Sequence, residues 1–170
     1  MNIEQANIET AQTFDELLAG LSSITDEQAN TVPFAGSWTA AQVAQHVILS
    51  AGSFVELLNG PVTDTNRDPE AGVEQLKSIF LDFDTKLKSP DFIIPEDKIY
   101  QKQQLIEKLQ LIKTNLLQAI DTLDVTKTCK AFEMPVMGYI TRAEAITFTI
   151  VHTKRHVHQI KRIAAALAGH

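Results

Sequence analysis

Apolar residues recur at intervals of three and four through five stretches of this chain, and strand-like alternation is nearly absent. That periodicity limits the fold more than any single motif does. It asks for amphipathic helices, each burying one apolar stripe. The first stretch is Ile3–Leu21, with Phe14, Leu17, Leu18 and Leu21 on one face and Gly20 near its end. The second opens at Trp38, Thr39 and Gln42: the spacing of Thr39 to Gln42 is that of a capping box, with Trp38 as the hydrophobic residue before the cap. It runs to Leu58 and stops at Asn59-Gly60-Pro61, with Val43, Val47, Phe54, Leu57 and Leu58 on its buried side.

The third stretch has Asp68 as N-cap and Pro69 in the first helical position, where a missing N–H costs little. Leu76, Ile79, Phe80, Phe83 and Leu87 follow, and Ser89-Pro90 ends it. The fourth covers Gln101–Leu123 through Leu105, Leu109, Ile112, Leu116 and Ile120, with Lys98–Tyr100 available as an extension. Asp124–Ile140 is apolar but irregular, and long for a connection, so it is expected to pack over one end of the helices. The fifth begins with a second capping box, Thr141 to Glu144, and runs to Ala168 with Gly169 behind it. The expected fold is all-α: an up-and-down-type four-helix bundle with an additional short helix or loop element, forming one domain over residues 1–170.

Composition narrows the function. At 170 residues and 44% apolar, the chain can bury a real core. A net charge of −6 argues against a general nucleic-acid binder. The acidic start lacks the apolar region of a signal peptide, and no apolar run reaches membrane-spanning length, so a cytoplasmic protein with no membrane partner is expected. The single cysteine, Cys129, precludes an internal disulfide framework and reads as a buried thiol.

The chemistry is concentrated in histidines. His152 and His156 stand four apart, hence about 40° apart around a helix axis, on the side that carries Ala145 and Ile163. Lys154, His158 and Lys161 fall on the opposite side, so His158 is expected to face solvent. Two core-facing histidines can grip one divalent metal, or can be neutral residues bonded to the backbone or a carboxylate. His46, near the edge of the apolar face of the second stretch, reads by itself as a boundary histidine. Joined to the HxxxH pair it would supply the three-nitrogen set that a catalytic zinc site uses, although helical periodicity does not show that it faces them.

Rival motifs are missing. The residue after His152 is Thr153, so the glutamate of a metalloprotease HExxH is absent, and no phosphate loop, G-x-G-x-x-G or G-x-S-x-G occurs. Carboxylates that orient the histidines are expected, but no position marks them. Lys154, Arg155, Lys161 and Arg162 form a basic cluster: either favourable charge towards a helix C-terminus on a solvated face, or attraction for an anionic substrate or thiol cofactor. Trp38, Phe132 and Tyr139 are candidates for a pocket mouth, with core packing the plainer reading for Phe132.

Three elements together resemble the DinB-like family: Ser37-Trp38-Thr39 before a helix carrying His46; the apolar linker leading to Thr141–Glu144; and the spacing His152, His156, Gln159-Ile160, similar to an H-x3-H-x2-Q-I signature. The likeness covers nearly the whole chain in helix order. It implies a four-helix bundle with a three-histidine divalent metal site at one end, and often a homodimer. Carried over, His46, His152 and His156 are the ligands of a divalent metal, zinc or nickel, and Gln159 is a neighbour rather than a ligand. The family name refers to DNA-damage induction and does not imply a polymerase. Several relatives are thiol S-transferases using bacillithiol or mycothiol, or a thiol-dependent isomerase. The resemblance therefore implies a metal-dependent S-transferase in detoxification or stress, with a small-molecule electrophile and a low-molecular-weight thiol as partners. A metal-dependent hydrolase and a non-catalytic metal- or ligand-binding stress protein stand as alternatives.

Overall fold

A computed structural model describes residues 1–168; Gly169, expected behind the last helix, lies outside the described residues. Four long helices form around one apolar core: α1 (Ile3–Ser22), α3 (Ala40–Asn59), α5 (Lys102–Thr122) and α6 (Arg142–Ala168). Two short ones, α2 (Asp26–Ala29) and α4 (Val73–Phe80), fill connections, and a 3-10 turn spans Asp91–Ile93. The expected all-α class holds. No described helix is long and apolar enough to cross a membrane.

Polar contacts fix the directions. Lys154–Glu9 (2.8 Å) and Lys161–Glu16 (2.6 Å) step together along α6 and α1, so these helices run parallel. Lys113–Asp15 (2.7 Å) and the Lys102 Nζ bond to the Ile24 carbonyl (2.6 Å) run α5 against α1. Arg142 Nε donates to the Leu58 carbonyl at 2.8 Å, and His152 approaches Ser50, which runs α3 against α6. α1 and α3 each pack on both α5 and α6. Two long helices thus run each way, and the links α1 to α3 and α5 to α6 cross the diagonals of the bundle. Periodicity says which face each helix buries and is silent on this order. Gly20, placed near the end of the first stretch, lies inside α1: a Cβ there would meet Ile160 Cγ2 at 3.0 Å, so glycine lets α1 close on α6.

Both anticipated capping boxes form. Gln42 N–H donates to Thr39 Oγ1 (3.1 Å) while Thr39 N–H donates to Gln42 Oε1 (3.0 Å). Glu144 N–H donates to Thr141 Oγ1 (3.1 Å), and Thr141 N–H donates back to Glu144 Oε2 (2.9 Å). Glu144 does more than cap. Its fully buried carboxylate also takes both Arg67 Nη atoms (2.7 and 2.6 Å) and Gly72 N–H (2.7 Å). Burial raises its pKa, but the Arg67 guanidinium and these N–H donors outweigh that and lower it overall. The half of α6 that follows is buried on every side from Arg142 to Thr153, unlike the amphipathic half beyond it.

Three local expectations need correction. The third stretch is helical only over Val73–Phe80, not from Pro69 to the residues before Ser89. Asp68 caps a turn instead, accepting from Glu70 N–H at 2.9 Å. After Phe80, the Asp82 carboxylate collects Asp84 N–H, Thr85 N–H and the Thr85 hydroxyl, an alternative to helical bonding. Lys98–Tyr100 do not extend α5, because the Asn30 amide pairs reciprocally with the Tyr100 backbone (2.9 and 3.0 Å). A two-residue antiparallel ladder joins β1 (Val62–Thr63) to β2 (Thr128–Cys129), too short to show any periodicity.

The Asp124–Ile140 stretch covers the bundle as anticipated: Cys129 is buried, and Phe132, Met134 and Met137 pack on the core. At its tip Met137 N–H donates to the Met134 carbonyl (3.2 Å). Pro135 is second in this turn and Val136 third, with φ +72 where glycine usually sits. A β-branched residue there stores strain of about 1–3 kcal/mol. Val136 is 96% exposed, so no packing repays it. Val136→Gly is expected to stabilise the chain by about 1 kcal/mol after the entropy gained by the unfolded state, raising Tm by roughly 2–4 °C in a thermal melt.

Candidate metal centre

The Thr39–Gln42 cap fixes where α3 begins and so sets His46 two turns along it; HxxxH on α6 sets the other two imidazoles on one face. α3 and α6 run antiparallel, and the three rings meet between them. His46 Nε2 and His156 Nε2 each lie 3.2 Å from His152 Nε2. Among the described residues, these three histidines alone gather enough ligand atoms for a metal ion, all within 4.8 Å of one another. A zinc–nitrogen bond of about 2.0–2.1 Å with tetrahedral angles places neighbouring nitrogens about 3.3–3.4 Å apart, close to the observed spacing.

The outer nitrogens decide which way the lone pairs point. His46 Nδ1 lies 2.8 Å from the Ile93 carbonyl, which can only accept, so the proton sits on Nδ1 and the Nε2 lone pair faces inward. His156 Nδ1 lies 2.8 Å from Gln159 Oε1 and is oriented in the same sense. Ser50 Oγ stands 3.5 Å from His152 Nδ1, a weak contact at best. The Nε2 lone pairs of His46 and His156 converge on His152 Nε2 at 3.2 Å, and a cation between them would take all three nitrogens, so the donor set fits a divalent ion. The expected carboxylates are absent from these outer positions: a carbonyl, an amide and a hydroxyl stand there instead. Backbone carbonyls leave no mark in a sequence, which explains the miss. Replacing Gln159 with Ala is expected to weaken metal binding about 10–100-fold in a competition titration, with Tm of the metal-free chain nearly unchanged.

The surroundings keep the imidazoles neutral. Phe148 stacks on His152 at 5.1 Å and 14°, Phe80 meets it edge-on at 5.7 Å, and Trp38 covers His46 at 5.1 Å. All three histidines are buried. Burial lowers the pKa of His46, and burial followed by the neighbouring histidines lowers that of His152 well below its ordinary value. His156 falls from 6.5 to about 3, by burial first and then by His46. Neutral imidazole is the form that ligates.

The cluster opens into a cavity of about 630 Å³ with mostly apolar walls, including Phe54, Leu76, Phe80, Phe132, Met137 and Phe148. Phe132 thus both lines the cavity and packs on the core. Trp38 borders a second cleft, whereas Tyr139 lies under the Lys130 ammonium at 3.5 Å and borders neither. His158 is apart from the cluster, as expected, but it is half-buried rather than facing open solvent, stacked on Phe83 at 4.6 Å and 9°. The basic cluster divides: Lys154 and Lys161 pair with α1 carboxylates, while Arg155 donates to the carbonyls of Asp82 and Thr85.

A helical bundle with three histidines converging from two helices defines a class of metal-binding scaffold compatible with this site. The profile of the DinB superfamily matches residues 9–160, and the chain belongs to that superfamily. A relative from Bacillus subtilis (strain 168), the uncharacterized protein YuaE, is 26% identical over 144 residues, covering 84% of this chain and 87% of its own length. No solved structure matches the chain.

Proposed function

We propose that the chain is a divalent-metal-dependent enzyme that transfers a small thiol onto an electrophilic substrate. The observation that carries this reading is the convergence of three buried imidazoles, with His46 Nε2 and His156 Nε2 each 3.2 Å from His152 Nε2, in the wall of a mostly apolar cavity of about 630 Å³. His46, His152 and His156 would hold the ion, and Ile93 and Gln159 would keep their rings aimed at it. A divalent ion held by three histidines keeps a position open and favours thiolate over thiol beside it. The aromatic and aliphatic walls bind an apolar electrophile and keep water from it. In the transfer, the thiol proton passes to solvent, a sulfur lone pair forms the bond to carbon, and the leaving group departs with its bonding pair.

The test uses chlorodinitrobenzene and 2-mercaptoethanol with the zinc-loaded chain. Release of chloride faster than the uncatalysed reaction of thiol with electrophile is expected only when metal, thiol and chain are all present, and His156→Ala is expected to return the rate to that background. Release that proceeds without thiol would point to water as the nucleophile and overturn the transferase reading. A Tm that responds to metal in the wild type, with no turnover under any of these conditions, would instead favour a binding protein.

A further inference from the structure

The second cleft, about 600 Å³, reaches the histidine cluster from another side and has different chemistry. Lys86, Lys88, Arg155 and Arg162 border it against one carboxylate, Asp84. That excess is unusual in a chain of net charge −6 whose other lysines mostly reach a carboxylate. Among the described residues, Lys86, Lys88 and Arg162 make no ion pair, and Arg155 spends its guanidinium on the Asp82 and Thr85 carbonyls. Arg155 therefore pins the segment that carries the two lysines. His156 and Gln159 form part of the cleft's lining, and Trp38 another part.

Leu87, Lys88, Ser89, Arg155 and His156 line both spaces, so they form the partition between them. Unpaired cations gathered in a concave surface focus a positive field and raise the local concentration of anions. An arginine and lysines at one rim match carboxylate or phosphate oxygens, the arginine by a two-pronged contact. The volume suits a small molecule rather than a polymer.

We propose that this cleft binds the anionic end of a small-molecule substrate carrying two or more carboxylate or phosphate charges, whose reacting group reaches the histidine cluster past His156. It rests on the reading that the histidine cluster is the reactive centre. The consequence is a two-sided site: the apolar substrate occupies one space, the polyanionic thiol the other, and the two do not compete.

Calorimetric titration of the metal-free chain with succinate, and with succinamide as its uncharged counterpart, tests the cleft by itself; Trp38 is the sole tryptophan and reports binding by fluorescence. Succinate is expected to bind at least ten-fold more tightly at low ionic strength and to weaken as salt is added. A Lys86→Gln, Arg162→Gln double variant is expected to lose about ten-fold, and Lys108→Gln on α5 to lose nothing. Inorganic phosphate run alongside shows which anion fits better, and preference for either supports the site. Equal binding of succinate and succinamide, or wild-type binding by the double variant, would overturn it.

The reach to the histidines is read on cobalt-substituted chain. Mercaptosuccinate is expected to perturb the cobalt absorption bands at a concentration ten-fold below that needed for 2-mercaptoethanol, and the double variant to abolish that advantage. Equal concentrations for the two thiols would overturn the connection. Succinate binding needs no metal, so failure of the metal reading leaves the first result standing. Loss of succinate binding with metal still bound leaves the metal reading standing.

Discussion

The metal-free chain is expected to lose about 2 kcal/mol of stability between pH 7 and pH 5 through His156 alone, and more through His152. In the unfolded chain His152 and His156 titrate near 6.5, whereas in the fold both stay neutral to well below that, His156 to about 3. Unfolding therefore takes up protons throughout the interval, and stability falls as pH falls. The contribution is intact above 6.5 and drains away towards pH 3. By pH 5 each histidine that stays neutral costs about 2 kcal/mol relative to pH 7. His46, also lowered by burial, adds to the same slope. Urea unfolding at pH 7, 6 and 5 measures it directly. A His152→Leu, His156→Leu double variant should remove most of the dependence, because two of the three groups that take up the protons are gone. A wild-type chain equally stable at pH 7 and 5 would mean that the imidazoles are not held neutral.

Zinc is expected to raise stability by about 4 kcal/mol at a free concentration 1,000 times Kd, since binding to the native state alone adds RT ln(1 + [L]/Kd). For a chain of this length that corresponds to a Tm increase of roughly 8–16 °C. The same neutrality that makes the metal-free fold acid-sensitive makes its metal site tolerant of mild acid. Three ordinary imidazoles of pKa 6.5 would lose about thirty-fold in apparent affinity from pH 7 to pH 6 by proton competition. Here His152 and His156 have no protons to shed in that interval, and Kd is expected to change less than about three-fold. Competition titration with a chromophoric chelator at the two pH values distinguishes these outcomes, and a thirty-fold loss would place solvent-like histidines at the site.

Much of this was legible from residue order. The two capping boxes at Thr39–Gln42 and Thr141–Glu144 fixed where the histidine-bearing helices begin, because a cap is a local contract between residues three apart. The helical wheel placed His152 and His156 inward and kept His158 apart, because a single helix sets those angles. His46 was a candidate only by association, since no local rule says which helices face each other. The helix order was hidden for the same reason, as were Ile93 and Ser50, whose approach to the histidines depends on tertiary packing. The third stretch misled because Leu76, Ile79, Phe80, Phe83 and Leu87 keep helical spacing while Asp82 and Thr85 divert the backbone into a turn. Residue order marks Glu144 only as a cap, whereas burial against Arg67 and Gly72 makes it an anchor for the chain before α4.

The central claim is that His46, His152 and His156 hold one metal ion. The most direct test is the metal content of chain purified without an affinity tag, measured by mass spectrometry for the wild type and for His152→Ala. Close to one divalent ion per wild-type chain and almost none in the variant, with the helical circular dichroism of both alike, is the expected result. Equal metal content in the two proteins would contradict the claim.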